Sequence, residues 1–377
     1  MLRVGLDYRP ALLLRSGIGR YTSNLVRHLP EVDDEIQLSL FSVFWKEHEE
    51  RIAQAHLPET ERVKLAAARF PGRVLDFLGR VMPLSVETFS DHFDLFHFTD
   101  YVQPPVRTKC SVFTLHDTSF LGDRGYHSPE NSQQLTSVTQ SLIDQASVVI
   151  TVSEATKRDA LESYDLDESR VVVTPLGVDE IFLQPYERSV QDCPFILSVG
   201  TLEPRKNHLR LLRAFESRLE KGLRARMILV GRKGWMCDDV LEALERPLLR
   251  KWVCWIGEIQ DAALLALMRN ATAMAYPSLL EGFGLPVLEA MALGLPVLTS
   301  ARGGLEEVAG DATHLVDPEC EDSIAAGLEK LCEDTAYREE LCRRGKIQAK
   351  KFSWQDCASR TLDAYRLALA LEPKGEK

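Results

Sequence analysis

The 377-residue sequence lacks the features of several common classes of protein. No apolar run reaches the roughly 18 residues that a membrane-spanning helix needs, so we expect no such helix. The eight cysteines form no C-x-x-C pair and have no histidine partner at zinc-finger spacing. We therefore expect reduced thiols, without a disulfide framework or a zinc site. Residues 1–7 enter a strand pattern without the basic start and small-residue cleavage site of a secretory signal, which predicts a cytoplasmic protein.

Positive charge is also in deficit. The chain has 45 lysines and arginines against 56 aspartates and glutamates, which gives a formal net charge of −11. A general nucleic-acid binder needs an excess of positive charge, so we expect no nucleic-acid partner. Net charge does not prevent a local cationic pocket, and local motifs therefore carry the functional argument.

Short apolar runs alternate with helical patterns, which is typical of a parallel doubly wound sheet. At about 150 residues per domain, the length suits two domains. The sequence predicts an α/β protein with two Rossmann-like domains, at 1–184 and 185–352, followed by a C-terminal helix within 353–377. A linker is predicted over 175–194, which contains three prolines. The apolar runs are 4–6, 36–43, 95–98, 112–115 and 148–152 in the first half, and 195–199, 227–230, 252–256, 272–276 and 296–299 in the second.

Residues 277–304, PSLLEGFGLPVLEAMALGLPVLTSARGG, form the most informative segment. A buried strand is predicted before it, and Pro286 and Gly294 bracket a short helix. Strand, glycine-rich loop and helix start then meet at 282–285. Free amides at a helix start are worth roughly 0.3 to 1 kcal/mol toward an anion, and glycines let a diphosphate approach the backbone.

Two acids lie eight residues apart in this segment. Glu281 is in the loop, and Glu289 falls about one turn into the helix. Both would repel a phosphate directly, so hydroxyl groups are the expected partners. Taken alone, they could also be solvent-facing acids near a helix start.

Two further pairs of polar residues directly follow predicted strands, at the end where such sheets bind ligands. Arg205 and Lys206 come after the run 195–199, and His116 and Asp117 come after 112–115. Alone, the first pair would be an exposed pair of loop charges and the histidine a structural one. Nearer the N-terminus, the glycines of G-I-G-R-Y-T predict a tight loop, although the third glycine of a dinucleotide fingerprint is missing.

Together these segments resemble the signature of the retaining GT-B glycosyltransferases of family 4, which is written E-x7-E. The other matching blocks are VGTLEPRKNH at 199–208, ITVSEATK at 150–157, LHDTSF at 115–120 and SGIGRY at 16–21. The resemblance spans nearly the whole chain. It implies the GT-B architecture, two Rossmann-like domains that face a central cleft, with a last helix that crosses back to the first domain.

The resemblance also implies a role for each motif residue. Arg205 and Lys206 would contact the diphosphate of a nucleotide sugar and stabilise the leaving group. Glu281 would bind hydroxyls of the donor sugar, and Glu289 would hold the ribose. His116 would polarise and position the sugar rather than attack it. The catalytic residues implied are His116, Asp117, Arg205, Lys206 and Glu281; the donor-binding residues are Gly17, Gly19, Thr201, Arg205, Lys206, Glu281, Gly282, Phe283, Gly284, Leu285 and Glu289.

The resemblance implies a hexosyltransferase that uses a nucleotide sugar as co-substrate and no other cofactor. The likeness of GTLEPRKN, LVGRKGW and LHDTSF to bacterial mannosyltransferases of polysaccharide pathways predicts transfer from GDP-mannose to a hydroxyl of a glycan or lipid-linked glycan, as in polysaccharide or O-antigen synthesis. UDP-glucose, UDP-GlcNAc and a rhamnose nucleotide remain alternative donors. A nucleotide-sugar epimerase of the same architecture and a glycan-binding protein with a spent site are the rival functions.

Two expectations concern metal and stability. The chain shows no D-x-D pair of the kind that metal-dependent glycosyltransferases use, so no metal is expected. Glu281→Ala is expected to reduce turnover at least tenfold while folding stays near wild type.

Residues 69–84, RFPGRVLDFLGRVMPL, mix arginines with apolar residues. The segment suits an ordinary core-facing helix or a basic amphipathic helix on a membrane surface. In the second case it would contact a lipid-linked acceptor, and the protein would lie peripherally at the inner face of the membrane.

Overall fold

The computed structural model describes residues 1–13, 17–43, 51, 57–68, 85–122, 124–184, 186 and 194–371. These residues form two compact units. The first unit contains Met1–Thr118, Gln133–Gly177 and Ser353–Lys377, and the second contains Ser119–Ser132 and Val178–Phe352, each taken over its described residues.

The first unit is built on a seven-stranded sheet whose neighbouring strands all run parallel. Most of these strands are apolar and buried, as expected for a sheet with helices on both faces. The strands are β1 (Leu2–Asp7), β2 (Ile36–Val43), β3 (Val63–Ala68), β4 (Leu95–Phe98), β5 (Ser111–Leu115), β6 (Val148–Thr151) and β7 (Val171–Val173). Their order is β3-β2-β1-β4-β5-β6-β7, so the direction of winding reverses between β1 and β4.

The second unit contains a six-stranded parallel sheet. Its strands are β8 (Phe195–Val199), β9 (Arg226–Val230), β10 (Val253–Trp255), β11 (Ala273–Tyr276), β12 (Val297–Thr299) and β13 (His314–Leu315). The order is β10-β9-β8-β11-β12-β13, and winding reverses between β8 and β11. Ligands of doubly wound sheets bind at the carboxyl ends of the strands at such a reversal.

Helices alternate with these strands in both units. Those of the first unit include α1 (Arg9–Leu13), α2 (Gly17–Val32), α3 (Pro129–Gln145, whose first residues belong to the second unit), α4 (Glu154–Ser163) and, last in the chain, α13 (Trp354–Leu371). Those of the second unit include α5 (His208–Glu220), α6 (Asp238–Leu244), α7 (Pro247–Trp252), α8 (Asp261–Asn270), α9 (Leu285–Leu293), α10 (Leu305–Ala309), α11 (Glu321–Glu333) and α12 (Thr335–Ala349).

The predicted fold class is confirmed. Each apolar run singled out in the sequence overlaps a strand, with at most one residue at either end of the run outside it, and the predicted helix bracketed by Pro286 and Gly294 is α9. Three strands were missed. β3 carries Lys64 and a run of alanines, and β7 and β13 have only three and two residues. Such strands give too few apolar residues for a recognisable pattern.

The boundaries of the units differ from the predicted 184/185 division. The first unit ends at Gly177 and resumes at Ser353, and residues 119–132 lie in the second unit. Gly177 packs directly on the backbone of Trp354, where a Cβ atom would overlap with the Trp354 amide. Glycine therefore permits the crossing at which α13 joins the first unit. Contact between segments distant in sequence decides this division, and no local pattern reports it.

Some predictions fall outside the described residues. They include the segment 69–84 and most of the second half of the predicted linker at 175–194, whose first half contains a short 3-10 helix, Glu180–Phe182. Among the helices that the structure describes, none combines the length and apolar character needed to cross a bilayer. The cytoplasmic location and the membrane contact stay predictions.

Candidate functional site

The loop after β8 brings two cations to the reversal point of the second sheet. Pro204–Lys206 form one 3-10 turn, and Asn207 follows in the left-handed conformation with a φ of 61°. It is the N-cap of α5, but its side chain makes no capping hydrogen bond to that helix; the side-chain amide donates instead to the carbonyls of Pro277 (3.0 Å) and Pro318 (2.7 Å). Asn207 thus ties this loop to the loop after β11 and fixes where Arg205 and Lys206 lie.

The glycine-rich loop after β11 starts α9 in the predicted way. Gly284 is the N-cap with a φ of 109°, which favours glycine, and Pro286 lies in the first turn. Among the described residues, the amides of Phe283, Gly284 and Leu285 have no hydrogen-bond acceptor within the protein. Free N–H groups at a helix start are suited to bind an anion or hydroxyl oxygens.

The Glu281 carboxylate lies between the side chains of Arg205 and Lys206. Its Oε2 accepts a hydrogen bond from Arg205 Nη1 at 2.5 Å, and its Oε1 accepts one from Lys206 Nζ at 2.6 Å. Glu203 forms a further ion pair with Arg205 Nη2 at 2.8 Å. The side chains of these four residues are 5–14% exposed, so the charges interact with little screening by water. We call Glu203, Arg205, Lys206 and Glu281 the charge cluster.

Burial and charge act in opposite directions on the pKa values in the charge cluster. Burial raises the pKa of Glu281, but Arg205 and Lys206 outweigh it and hold the pKa at about 2. Burial lowers the pKa of Lys206, and Glu281 counteracts this. Glu281 is therefore an anion at neutral pH, and its ion pairs could not be predicted from the sequence.

This geometry changes the stability expected for Glu281→Ala. Removal of one partner from a buried ion pair usually costs about 3 to 5 kcal/mol, because the other charge stays buried without compensation. Alanine would remove this carboxylate from both cations and would leave Arg205 paired with Glu203. We therefore expect this variant to be destabilised, and a glutamine is the better probe of the carboxylate charge.

The remaining predicted donor-binding residues of the second unit lie in the loop after β8, in the loop before α9 and in α9 itself. Glu289 is buried in α9, one turn in from its start, and the Phe283 ring packs edge-on against Phe352 at 5.7 Å. Thr201 packs on Gly234, where a Cβ atom would lie 2.7 Å from the threonine methyl group. The loops after β8 and β9 therefore lie side by side at the same edge of the sheet.

An aromatic contact at this edge of the sheet was not predicted from the sequence. Trp235, in the loop after β9, donates from Nε1 to the Tyr126 carbonyl at 2.7 Å and stacks on His127 with ring centroids 5.2 Å apart. Both partners belong to the segment 119–132 of the second unit. No periodicity links Trp235 to residues more than a hundred positions earlier in the chain.

His116 and Asp117 lie at the carboxyl end of β5 in the first unit. The carbonyl of Thr99 accepts a hydrogen bond from His116 Nε2 at 2.8 Å, so the neutral ring carries its lone pair on Nδ1. Burial lowers the pKa of His116, which favours this neutral form near pH 7. Tyr21 packs edge-on against the His116 ring at 5.0 Å, and the hydroxyl of Tyr101 contacts the backbone of Asp117 at 3.0 Å.

A buried hydrogen-bond network includes Tyr21, which packs against His116. His97 contacts the Tyr365 hydroxyl through Nδ1 (2.8 Å) and the Thr114 hydroxyl through Nε2 (2.7 Å), and Thr114 contacts the Tyr21 hydroxyl (3.0 Å). Burial lowers the pKa of His97 to about 3, so this histidine is neutral as well. The network joins α13 to the sheet of the first unit, and it was not predicted from the sequence.

The prediction of a tight loop at Gly17 and Gly19 is wrong, because both residues are helical. Both glycines lie in the first turn of α2, where Gly17 is exposed and Gly19 is buried. Helical φ and ψ angles need no glycine, and the spacing alone could not distinguish a loop from a helix start. Contact of these glycines with a donor stays a prediction.

The chain contains one D-x-D spacing, Asp165-Leu166-Asp167. Both aspartates are exposed and lie between α4 and β7, and Asp167 accepts a hydrogen bond from the Ser169 amide at 2.9 Å. The part of the chain that the structure describes contains no cluster of three or more metal-ligating side chains. Metal independence stays a prediction.

Fold and site together define an α/β protein of two Rossmann-like units with a buried charge cluster at the reversal point of the second sheet. The family model of glycosyl transferases group 1 matches residues 182–351, and that of glycosyltransferase family 4 matches residues 15–181. The O-antigen chain mannosyltransferase B of Escherichia coli is 32% identical over a 376-residue alignment that covers 93% of this chain and 96% of that protein. This chain belongs to the glycosyltransferases of the GT-B fold.

Solved structures show the same fold at low sequence identity. Sucrose-phosphate synthase from Thermosynechococcus elongatus has a TM-score of 0.75 at 17% identity, with 99% of this chain and 100% of that chain covered. Anabaena Alr3699/HepE in complex with UDP-glucose has a TM-score of 0.71 at 20% identity, with 96% and 99% covered.

Proposed function

We propose that this glycosyltransferase is a retaining enzyme of family 4 that transfers mannose from GDP-mannose to a hydroxyl of a glycan or lipid-linked glycan, in O-antigen or polysaccharide synthesis. The observation that carries the proposal is the buried contact of Arg205 and Lys206 with Glu281, beside three amides at the start of α9 that find no acceptor among the described residues. The mannosyl donor is supported by the name of the Escherichia coli relative, whose similarity extends over nearly the whole chain.

The charge cluster suits a sugar diphosphate in two ways. The guanidinium of Arg205 and the ammonium of Lys206 are hydrogen-bond donors to phosphate oxygens, and they would stabilise the charge that develops on the leaving diphosphate. Glu281 offers carboxylate oxygens to sugar hydroxyls, which excludes donors that lack a matching hydroxyl, because the buried acid would lose a partner. Glu289, one turn into α9, is assigned to the ribose.

The proposed reaction breaks the bond between C1 of the sugar and the β-phosphate oxygen, and GDP leaves with the electron pair. The acceptor oxygen bonds to C1 on the same face, and its proton passes to the departing phosphate. His116 would accept a hydrogen bond from a sugar hydroxyl through Nδ1 and hold the sugar in place. Its neutral form suits this role better than that of a nucleophile or a cation.

A panel of nucleotides tests the donor. GDP and GDP-mannose are expected to raise the melting temperature of the wild-type protein more than UDP-glucose, UDP-GlcNAc or dTDP-rhamnose do. A response to UDP-glucose alone would overturn the mannosyl donor and leave the class of enzyme intact; the complex of Anabaena HepE with UDP-glucose gives this outcome a precedent. No response to any nucleotide would overturn the proposed function.

Two further measurements test the reaction. With a glycan acceptor, the anomeric configuration of the product measured by NMR should match that of the donor; inversion would contradict the retaining assignment. Incubation with the nucleotide sugar alone should give no epimer, whereas epimer formation without glycan product would favour the rival isomerase.

A further inference from the structure

Tyr276 contacts Lys206 of the charge cluster, and the sequence motifs assign it no role. It is the last residue of β11, which pairs with β8 inside the sheet, and it is only 3% exposed. Lys206 Nζ donates a hydrogen bond to the Tyr276 hydroxyl at 2.5 Å and lies 4.9 Å from the centre of the tyrosine ring. The hydroxyl therefore stands on a rigid part of the fold, directly beside a cation assigned to the diphosphate.

Lysine needs such a support more than arginine does. Its ammonium ends a flexible four-carbon stem, and buried lysines tend to lose their proton. In this structure Lys206 Nζ has two side-chain acceptors, the Tyr276 hydroxyl and Glu281 Oε1. Glu281 is itself assigned to the sugar, so Tyr276 is the acceptor that has no other task in the proposed reaction.

The neutral character of the Tyr276 hydroxyl matters for the charge of Lys206. Burial and the neighbouring Glu281 raise the pKa of Tyr276 well above its usual value, so the hydroxyl keeps its proton. A neutral oxygen directs the ammonium without cancelling its charge, whereas a carboxylate in its place would compete with a phosphate. Tyr276 thus orients Lys206 and leaves its charge available.

We propose that Tyr276 is a positioning residue that holds Lys206 Nζ for the phosphate attached to the donor sugar. This inference rests on the proposed function, since it assumes a nucleoside diphosphate at the charge cluster. Removal of the Tyr276 hydroxyl should therefore reduce the binding free energy that the β-phosphate contributes. It should leave the affinity for the nucleoside unchanged.

The test compares the affinities of GMP and GDP by calorimetry for the wild type and Y276F. Phenylalanine keeps the ring under Lys206 and removes only the hydroxyl. The advantage of GDP over GMP should fall about three- to tenfold in Y276F, while the Kd for GMP stays within about twofold of wild type. If the wild type prefers uridine nucleotides, the pair is UMP and UDP.

A matched control comes from the same unit. Tyr337 also lies under a lysine, with Lys330 Nζ 3.8 Å from its ring centre, and its hydroxyl contacts His314 Nδ1 at 2.9 Å. Y337F removes an equivalent hydroxyl away from the charge cluster, and it should keep the wild-type ratio of GDP to GMP affinity. A fall of that ratio in Y337F as well would show a general effect of packing and overturn the proposal.

A double-mutant cycle separates positioning from stability. In the K206A background, Y276F should have no further effect on the ratio, because the hydroxyl acts through Lys206. An unchanged ratio in Y276F, or equal effects of Y276F with and without Lys206, would overturn the role of Tyr276 even where the wild type binds GDP. A wild type that binds neither GDP nor UDP would overturn the proposed function and this inference together.

Discussion

Glu281 and Lys206 form a buried ion pair, with 2.6 Å between Oε1 and Nζ, although the two are assigned to different parts of the same donor. Arg205 contacts the other oxygen of Glu281. A diphosphate bound by these cations must therefore share them with the carboxylate. In the proposed donor site, Glu281 would therefore compete with the diphosphate for Arg205 and Lys206.

This competition predicts opposite effects of Glu281→Gln on binding and on turnover. Glutamine keeps the shape of the side chain and removes the negative charge, so GDP should bind about three- to tenfold more tightly. Turnover with GDP-mannose and a glycan acceptor should fall at least about tenfold, because the sugar loses a charged hydrogen-bond acceptor.

Calorimetry with GDP and initial-rate assays check the two effects separately. Glu289→Gln is the matched control, since it neutralises the acid assigned to the ribose on the same helix start and should weaken GDP binding. Weaker binding of GDP to Glu281→Gln would show that the carboxylate helps to bind the diphosphate by arranging the cations, and the competition argument would fail.

The ion pairs of Glu281 also predict how stability depends on pH. Its pKa is about 2 in the folded protein against 4.5 as the ordinary value. A lowered pKa of an acid stabilises the fold above the ordinary value, and this contribution is lost as the pH falls toward the folded value. The carboxylate should contribute about 3 kcal/mol near pH 7, of which about 2 kcal/mol is lost near pH 3.

Urea unfolding of the wild type and Glu281→Gln over this pH range measures the contribution. The difference between their free energies of unfolding should be largest above about pH 5 and should shrink toward pH 3. Other carboxylates titrate in both proteins and cancel in the difference. A difference that stays constant with pH would mean that the folded pKa of Glu281 is not lowered.

The fold could be predicted from the sequence because strands that are buried on both faces consist mostly of apolar residues. The runs at 195–199 and 272–276 are mostly apolar, since the strands they form are buried on both faces. Positions of Arg205, Lys206 and Glu281 at strand ends followed from the same pattern. The contact of Arg205 with Glu281 spans 76 positions in the sequence, and no spacing rule reports it.

The supporting residues show the same limit. Tyr276 and His97 each lie within a mostly apolar strand, so the sequence pattern does not distinguish them as functional or supporting residues. Their roles depend on which side chain of another strand or helix reaches the hydroxyl or ring nitrogen. The family resemblance supplied positions for the donor groups, but the network of Tyr365, His97, Thr114 and Tyr21 came only from the structure.

The tautomer of His116 predicts which substitution is best tolerated. Because Nε2 donates to the Thr99 carbonyl, the ring presents Nδ1 as an acceptor. An asparagine amide oxygen lies close to the position of Nδ1 in histidine, whereas glutamine places its oxygen farther along the side chain. His116→Asn should retain at least about tenfold more turnover than His116→Gln or His116→Ala.

Initial rates with GDP-mannose and acceptor check this order, and GDP affinity serves as the control because His116 is assigned to the sugar and not to the nucleotide. The pH profile of the wild type should show no ionisation of His116 near pH 6.5, since burial lowers its pKa. Equal loss in all three variants would mean that the acceptor at Nδ1 has no role in turnover.

The makeup of the charge cluster predicts activity without a divalent cation. Two phosphate groups need positive charge, and Arg205, Lys206 and the amides at the start of α9 supply it from the protein. The single D-x-D pair is exposed in the first unit, and Asp167 is engaged with the Ser169 amide. Turnover in EDTA should therefore stay within about twofold of turnover in Mg²⁺.

Two results would contradict this. The first is a loss of activity in EDTA that Mg²⁺ or Mn²⁺ restores, which would place a metal ion on the diphosphate. The second is rescue of K206A by Mg²⁺, because a cation from solution could then replace the ammonium. If the charge comes from the protein, K206A should stay impaired at every Mg²⁺ concentration, and its GDP affinity should fall along with its turnover.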